Sequence, residues 1–180
     1  MPQNEAYSLY TAPDWRDFPD LDLYMDQVIS VLNKMLTPVS ESEVAITSTM
    51  INNYVKQKLI PPPQNKKYNR EHLASLFMIF HFKRFMQLSD IARLLEHMIA
   101  ERGVEGAYEN FRQEFSDAMQ KAVALSSPAK SAYSADPVVH ESALAFAQIC
   151  AARKVFLAAD WQEPDNESDK KAKKKEEKKS

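Results

Sequence analysis

Residues 70–86 constrain the fold more than any other stretch of this chain. Leu73, Leu76, Phe77, Met78, Ile79, Phe80, Phe82 and Phe85 leave a helix over this range apolar on most sides. Such a helix is stable only where other elements wrap it, so it is expected at the centre of a core. Asn69 stands where it can cap the start. Glycine usage points the same way, since Gly103 and Gly106 are the only glycines in 180 residues. The positive-φ turns of an all-β barrel and a glycine-rich phosphate loop both draw on glycine, and neither fits this chain. The expected fold class is all-α.

The rest of the chain divides around that helix. Residues 1–20, with Pro2, Pro13 and Pro19, read as an extended arm whose Tyr7, Tyr10, Trp15 and Phe18 can pack onto the body. A first helix is expected over 21–36, capped by Asp20 and stopped by Pro38. Its apolar stripe is Leu21, Met25, Val28, Ile29, Leu32 and Leu36. Thr47 or Ser48 caps a short second helix ending near Lys58. Its two faces separate: Met50, Ile51, Tyr54 and Val55 lie on one side, Thr49, Asn52, Asn53 and Lys56 on the other. Pro61, Pro62 and Pro63 then form a stiff extended connector, and Gln64 to Lys67 a short basic excursion closed by Tyr68. Beyond residue 86, a helix capped by Ser89 runs to about Gly103, a fifth spans 105–125, and a sixth spans 137–160. The lysine-rich tail, 161–180, lacks the apolar residues needed for a core and is expected to be disordered.

Charge singles out the middle of the chain. Residues 47–86 carry a net +6, from Lys56, Lys58, Lys66, Lys67, Arg70, Lys83 and Arg84 against Glu71 alone, between acidic flanks of −6 and −7. A basic island on an acidic body is the footprint of a phosphate contact. A helix that buries one face while presenting amides, a hydroxyl and a cation on the other has what major-groove recognition needs; asparagine can bond adenine in two places. Small polar and cationic groups just beyond it suit phosphates. The candidate DNA-binding residues are therefore Thr49, Asn52, Asn53, Lys56, Lys58, Asn65, Lys66, Lys67, Tyr68 and Arg70.

Other chemistry has little support. His72, His81, His97 and His140 show no metal-ligand spacing. Cys150, the single cysteine, excludes an internal disulfide and reads as a small buried hydrophobe. Asp14, Asp17, Asp20, Asp22 and Asp26 read as acidic helix-start residues rather than as a cation site. No catalytic triad or nucleotide fingerprint is present, so neither an enzyme nor a cofactor is expected. No signal-peptide pattern or bilayer-length apolar run occurs, which predicts a cytoplasmic protein.

The segment Ile51-Asn52-Asn53-Tyr54-Val55-Lys56-Gln57-Lys58-Leu59-Ile60, a proline, a short basic stretch and Tyr68-Asn69-Arg70-Glu71-His72-Leu73 resemble the MerR family of transcription regulators. Leu88 to Leu95 resembles the helix start that follows in that family. Leu21 to Val28 together with Thr49 to Lys56 is similar to a bacterial family known as a domain of unknown function, which is MerR-like and regulatory. The resemblance implies a winged helix-turn-helix over 21–100 with a short wing at 64–68. It also implies a homodimer on palindromic double-stranded DNA, and a helical region, 101–160, for dimerisation or sensing of a small-molecule effector. Three departures bear on mechanism: Asn52 replaces the usual recognition-helix arginine, Lys58 replaces the turn glycine, and the long dimerising coiled coil is missing. The DNA-distorting activation mechanism therefore does not carry over. A second reading keeps the helix-turn-helix as a scaffold for a protein partner. Likewise, the inward aromatics Tyr108, Phe111, Phe115 and Phe146 fit solid core better than a ligand cavity.

Overall fold

The computed structural model describes residues 11–36 and 45–125, with scattered helical positions between 145 and 158. The order is a single 3-10 turn (Trp15–Asp17), β1 (Leu23–Tyr24), α1 (Met25–Leu36), α2 (Ser48–Lys56), β2 (Lys67–Tyr68), α3 (Arg70–Phe82) and α4 (Leu88–Leu125). The described architecture is mainly α-helical with one small two-stranded sheet.

Helix α3 is the axle. Every residue from His72 to His81 is buried, and Leu73, Ala74, Leu76, Phe77, Met78 and Ile79 have no exposed surface. Asn69 caps it, with its side chain accepting from the His72 N–H (3.1 Å) while the His72 ring returns a bond to the Asn69 N–H (3.2 Å). Helix α1 lays Val28, Leu32 and Leu36 against this core, α2 adds Ile51 and Tyr54, and α4 adds Ile91, Leu95, Tyr108 and Phe111. The Tyr54 and Phe80 rings meet edge-on at 5.7 Å, tying α2 to α3.

Helix α4 is two limbs broken at Gly103, whose φ of 69° and ψ of 177° are non-helical. Only glycine adopts this backbone region readily, which is why the break falls there. The expected domain boundary near residue 100 lies just before that break. Beyond it, Tyr108 and Phe111 enter the same core cluster as Phe18 and Phe77. Their rings both pack edge-on against Phe77, at 6.0 and 6.4 Å, as core residues.

Residues 11–20 of the N-terminal arm are a structural part of this body. Phe18 has no exposed surface and sits edge-on to Phe77 (6.0 Å) and Tyr108 (5.0 Å). The Tyr108 hydroxyl donates to the Pro13 carbonyl (2.7 Å), and Trp15 N–H donates to Glu109 (3.3 Å).

Several expected boundaries need correction. Helix α1 starts at Met25 rather than residue 21, because Leu23 and Tyr24 form a strand paired antiparallel with Tyr68 and Lys67. Leu21 is 62% exposed and contributes nothing to an apolar stripe. Asp20 caps no helix; its carboxylate faces Arg70 at 3.4 Å. The start of α1 is secured by Gln27, whose side chain accepts from the Tyr24 N–H (2.9 Å). Helix α3 ends at Phe82, with residues 83–86 in turns. Helix α4 begins at Leu88, before the expected Ser89 cap. Residues 1–10, the 126–136 loop, most of the sixth helix including Cys150 and Phe146, and the lysine tail lie outside the described residues.

Candidate nucleic-acid interface

Helix α2 begins where the sequence placed it. Thr47, in an extended conformation, accepts from the Met50 N–H through its hydroxyl (3.3 Å). From that start the 3.6-residue period puts Ile51 and Tyr54 into the core, and Thr49, Asn52, Asn53 and Lys56 on the exposed side. An open depression of about 400 Å³ follows this face, lined by Thr47, Thr49, Met50, Asn52, Asn53 and Lys56. The Gln57 amide donates to the Asn53 carboxamide oxygen at 3.3 Å, orienting that side chain along the surface.

The end of α2 explains a departure noted in the sequence. Leu59 N–H bonds the Tyr54 carbonyl (2.9 Å), and Lys58 N–H bonds the Val55 carbonyl (3.1 Å). Those two bonds define a Schellman C-cap, in which the residue between must be left-handed and is usually glycine. Lys58 fills that position, with φ of 60°. Leu59 and Tyr54, which occupy the positions of the apolar contact that often accompanies such a cap, are both buried.

The basic excursion after the prolines is a two-residue hairpin. Gln64 N–H donates to the Lys67 carbonyl (3.1 Å) and Lys67 N–H to the Gln64 carbonyl (2.8 Å). Between them Asn65 and Lys66 have φ of 50° and 64°. Two consecutive positive φ values are the mark of a type I′ turn, for which Asn-Gly is the favoured pair. Asn65 suits the first position, whereas Lys66 stands where glycine is preferred. Both side chains are exposed. Strand β2 continues from this turn and is held by β1 through the pairs Leu23–Tyr68 and Tyr24–Lys67.

Behind the turn, the His72 side chain on α3 is buried. Burial, the dominant effect, lowers its pKa below the ordinary 6.5, while the Pro61 and Pro62 carbonyls facing the ring oppose the shift.

Of the ten residues singled out in the sequence, eight are exposed or half-buried on two segments that follow one another in the chain. Thr49, Asn52, Asn53 and Lys56 share the open face of α2, Lys58 ends that helix, and Asn65, Lys66 and Lys67 form the hairpin. The other two are engaged internally. Tyr68 is 2% exposed, with its ring edge-on to His72 at 5.4 Å, so it offers no surface to a phosphate. Arg70 donates from Nε to the Phe18 carbonyl (3.1 Å), faces Asp20, and lies over the Trp15 ring at 5.8 Å. Arg70 is the clasp that closes the arm onto the body.

Sequence reasoning missed Tyr24. It is 52% exposed, and the Lys67 Nζ sits 5.2 Å from its ring centre. The signal was absent locally, because the pair is created by a strand register that joins distant parts of the chain.

A family model described as "Domain of unknown function (DUF1836)" matches residues 13–111, more than half of the chain. The chain belongs to the DUF1836 family. The DUF1836 region runs from the arm residue Pro13 to the core residue Phe111, enclosing the exposed α2 face, the hairpin and α3. No curated protein and no solved structure matches the chain. Among the described residues no three His, Cys, Asp or Glu side chains group to hold a metal, and no helix is long and apolar enough to cross a membrane.

Proposed function

We propose that this chain is a DNA-binding transcriptional regulator with a MerR-like winged helix-turn-helix, α2 being the recognition helix and the 64–67 hairpin the wing. In this reading Asn52 and Asn53, with Thr49 beside them, bond base edges in the major groove. Lys56, Lys58, Lys66 and Lys67 bind phosphates, which sets position without reading sequence. Tyr68 and Arg70 act only from behind, by holding the wing and the arm in place.

One observation carries the reading. Lys58, Asn65 and Lys66 are the non-glycine residues with positive φ among the described residues, and all three lie between α2 and α3. A left-handed lysine costs on the order of 1–2 kcal/mol of backbone strain, which glycine would largely avoid. Stability alone therefore argues against lysine at both Lys58 and Lys66. Strain retained at two exposed cations, beside a helix that offers two amides to solvent, is what a phosphate-gripping surface explains. Two half-sites read by a homodimer would supply specificity beyond one short helix, with residues beyond the DUF1836 region providing the second contact or sensing an effector.

The test is selection of binding sites from fragmented genomic DNA by the full chain, under excess random-sequence competitor to absorb affinity from the lysine tail. The expected result is one enriched short palindrome, bound with affinity that falls steeply with salt. Recovery of no enriched sequence would overturn the reading and favour a helix-turn-helix scaffold that binds a protein.

A further inference from the structure

We infer that Tyr24 is a positioning residue for Lys67, and that the two side chains form a preorganised phosphate clamp at the base of the hairpin. The inference rests on the DNA-binding reading above. Tyr24 and Lys67 are cross-strand partners in the two-stranded sheet. Leu23, the neighbouring residue of the same strand, is buried, so strand alternation turns Tyr24 to the outside, where it stays 52% exposed. The Lys67 ammonium lies 5.2 Å from its ring centre, within cation–π range.

The physical consequence concerns entropy. A lysine on a hairpin ordinarily samples many rotamers and must be immobilised when it meets a phosphate. Stacking on Tyr24 restricts Lys67 before binding and leaves the ammonium's donors available to oxygen ligands. The ring gives no hydrogen bond that competes with them. Tyr24 is itself held: its N–H is bonded by Gln27, and the strand pairing continues into Leu23–Tyr68. Lys67 thereby differs from Lys66, which stands at the turn tip.

A double-mutant cycle on DNA affinity tests the clamp. Binding of the full chain, Tyr24→Ala, Lys67→Met and the double variant to a mixed-sequence duplex is measured by fluorescence anisotropy across a salt series. The ratio of ratios cancels any contribution of the lysine tail. Tyr24→Ala is expected to weaken binding about two- to five-fold with Lys67 present, and to have no effect in the Lys67→Met background. Tyr24→Phe, which keeps the ring, restores wild-type affinity. An equal loss in both backgrounds, or no loss in either, overturns the inference; melting curves separate such a loss from unfolding. Failure of the underlying reading looks different, since the unmodified chain would then bind duplex with no sensitivity to Lys66→Ala or Lys67→Met.

Discussion

Replacing Lys66 by glycine should make the protein more stable and a poorer DNA binder at once. Lys66 is exposed and has φ of 64° at the second position of the type I′ turn. Relief of the left-handed strain is worth about 1–2 kcal/mol. The greater freedom of glycine in the unfolded chain takes back about 0.5–1 kcal/mol. The remainder, about 0–1.5 kcal/mol, corresponds to a rise in Tm of up to roughly 6 °C for a chain of this size. Loss of one phosphate contact should lower the salt slope of log K by about one and weaken binding to all sequences alike. Differential scanning calorimetry reads the first effect and anisotropy titrations at several salt concentrations the second. A fall in Tm would refute the assigned turn. An unchanged salt slope with a raised Tm would refute the phosphate contact while leaving the turn intact.

Three further outcomes follow from the core and the caps. Gly103→Ala meets no atom within 4 Å of the added methyl, yet its backbone at φ 69° should still cost on the order of 1–3 kcal/mol, seen as a lower urea midpoint. Phe18→Ala empties a site with no exposed surface between Phe77 and Tyr108, and should cost about 3–5 kcal/mol in the same assay. His72, with its pKa lowered by burial, is neutral in the native state and binds a proton more readily when unfolded. Its contribution to stability is therefore full above the ordinary 6.5 and is lost as pH falls through the lower native value. Between about pH 7.5 and 5.5 the wild type should lose more stability than His72→Gln, and parallel losses would contradict this.

What the sequence disclosed was local. The Thr47 cap, the split wheel of α2, the Asn69 cap and the break at Gly103 each depend on residues within a turn or two, and each lies where residue type and period put it. The all-round burial of α3 was also legible, because nothing but wrapping can stabilise a run from Leu73 to Phe80. The failures at Leu21 to Tyr24, Tyr68 and Arg70 share one cause, which is contact between distant segments. Leu21 to Tyr24 reads as the first turn of α1, yet Leu23 and Tyr24 pair with Tyr68 and Lys67 as a strand. Tyr68 and Arg70 have the composition of a phosphate site, but neighbours from the arm and from α3 claim them. The exposed Tyr24 beside Lys67 follows from the same strand register. The positive φ of Lys58 could be suspected only from the resemblance, and that of Lys66 not at all, since lysine by itself signals no left-handed backbone.

The role of α2 is decided by one comparison: the full chain against Asn52→Ala on the genomic sequence it selects and on that sequence with single base-pair changes. Base reading by Asn52 requires a loss of about 1–3 kcal/mol on the selected site, and a relaxed preference at one position, with non-specific affinity unchanged. Equal affinity of the two proteins for every duplex, selected or altered, would mean that the exposed amide face of α2 does not read DNA.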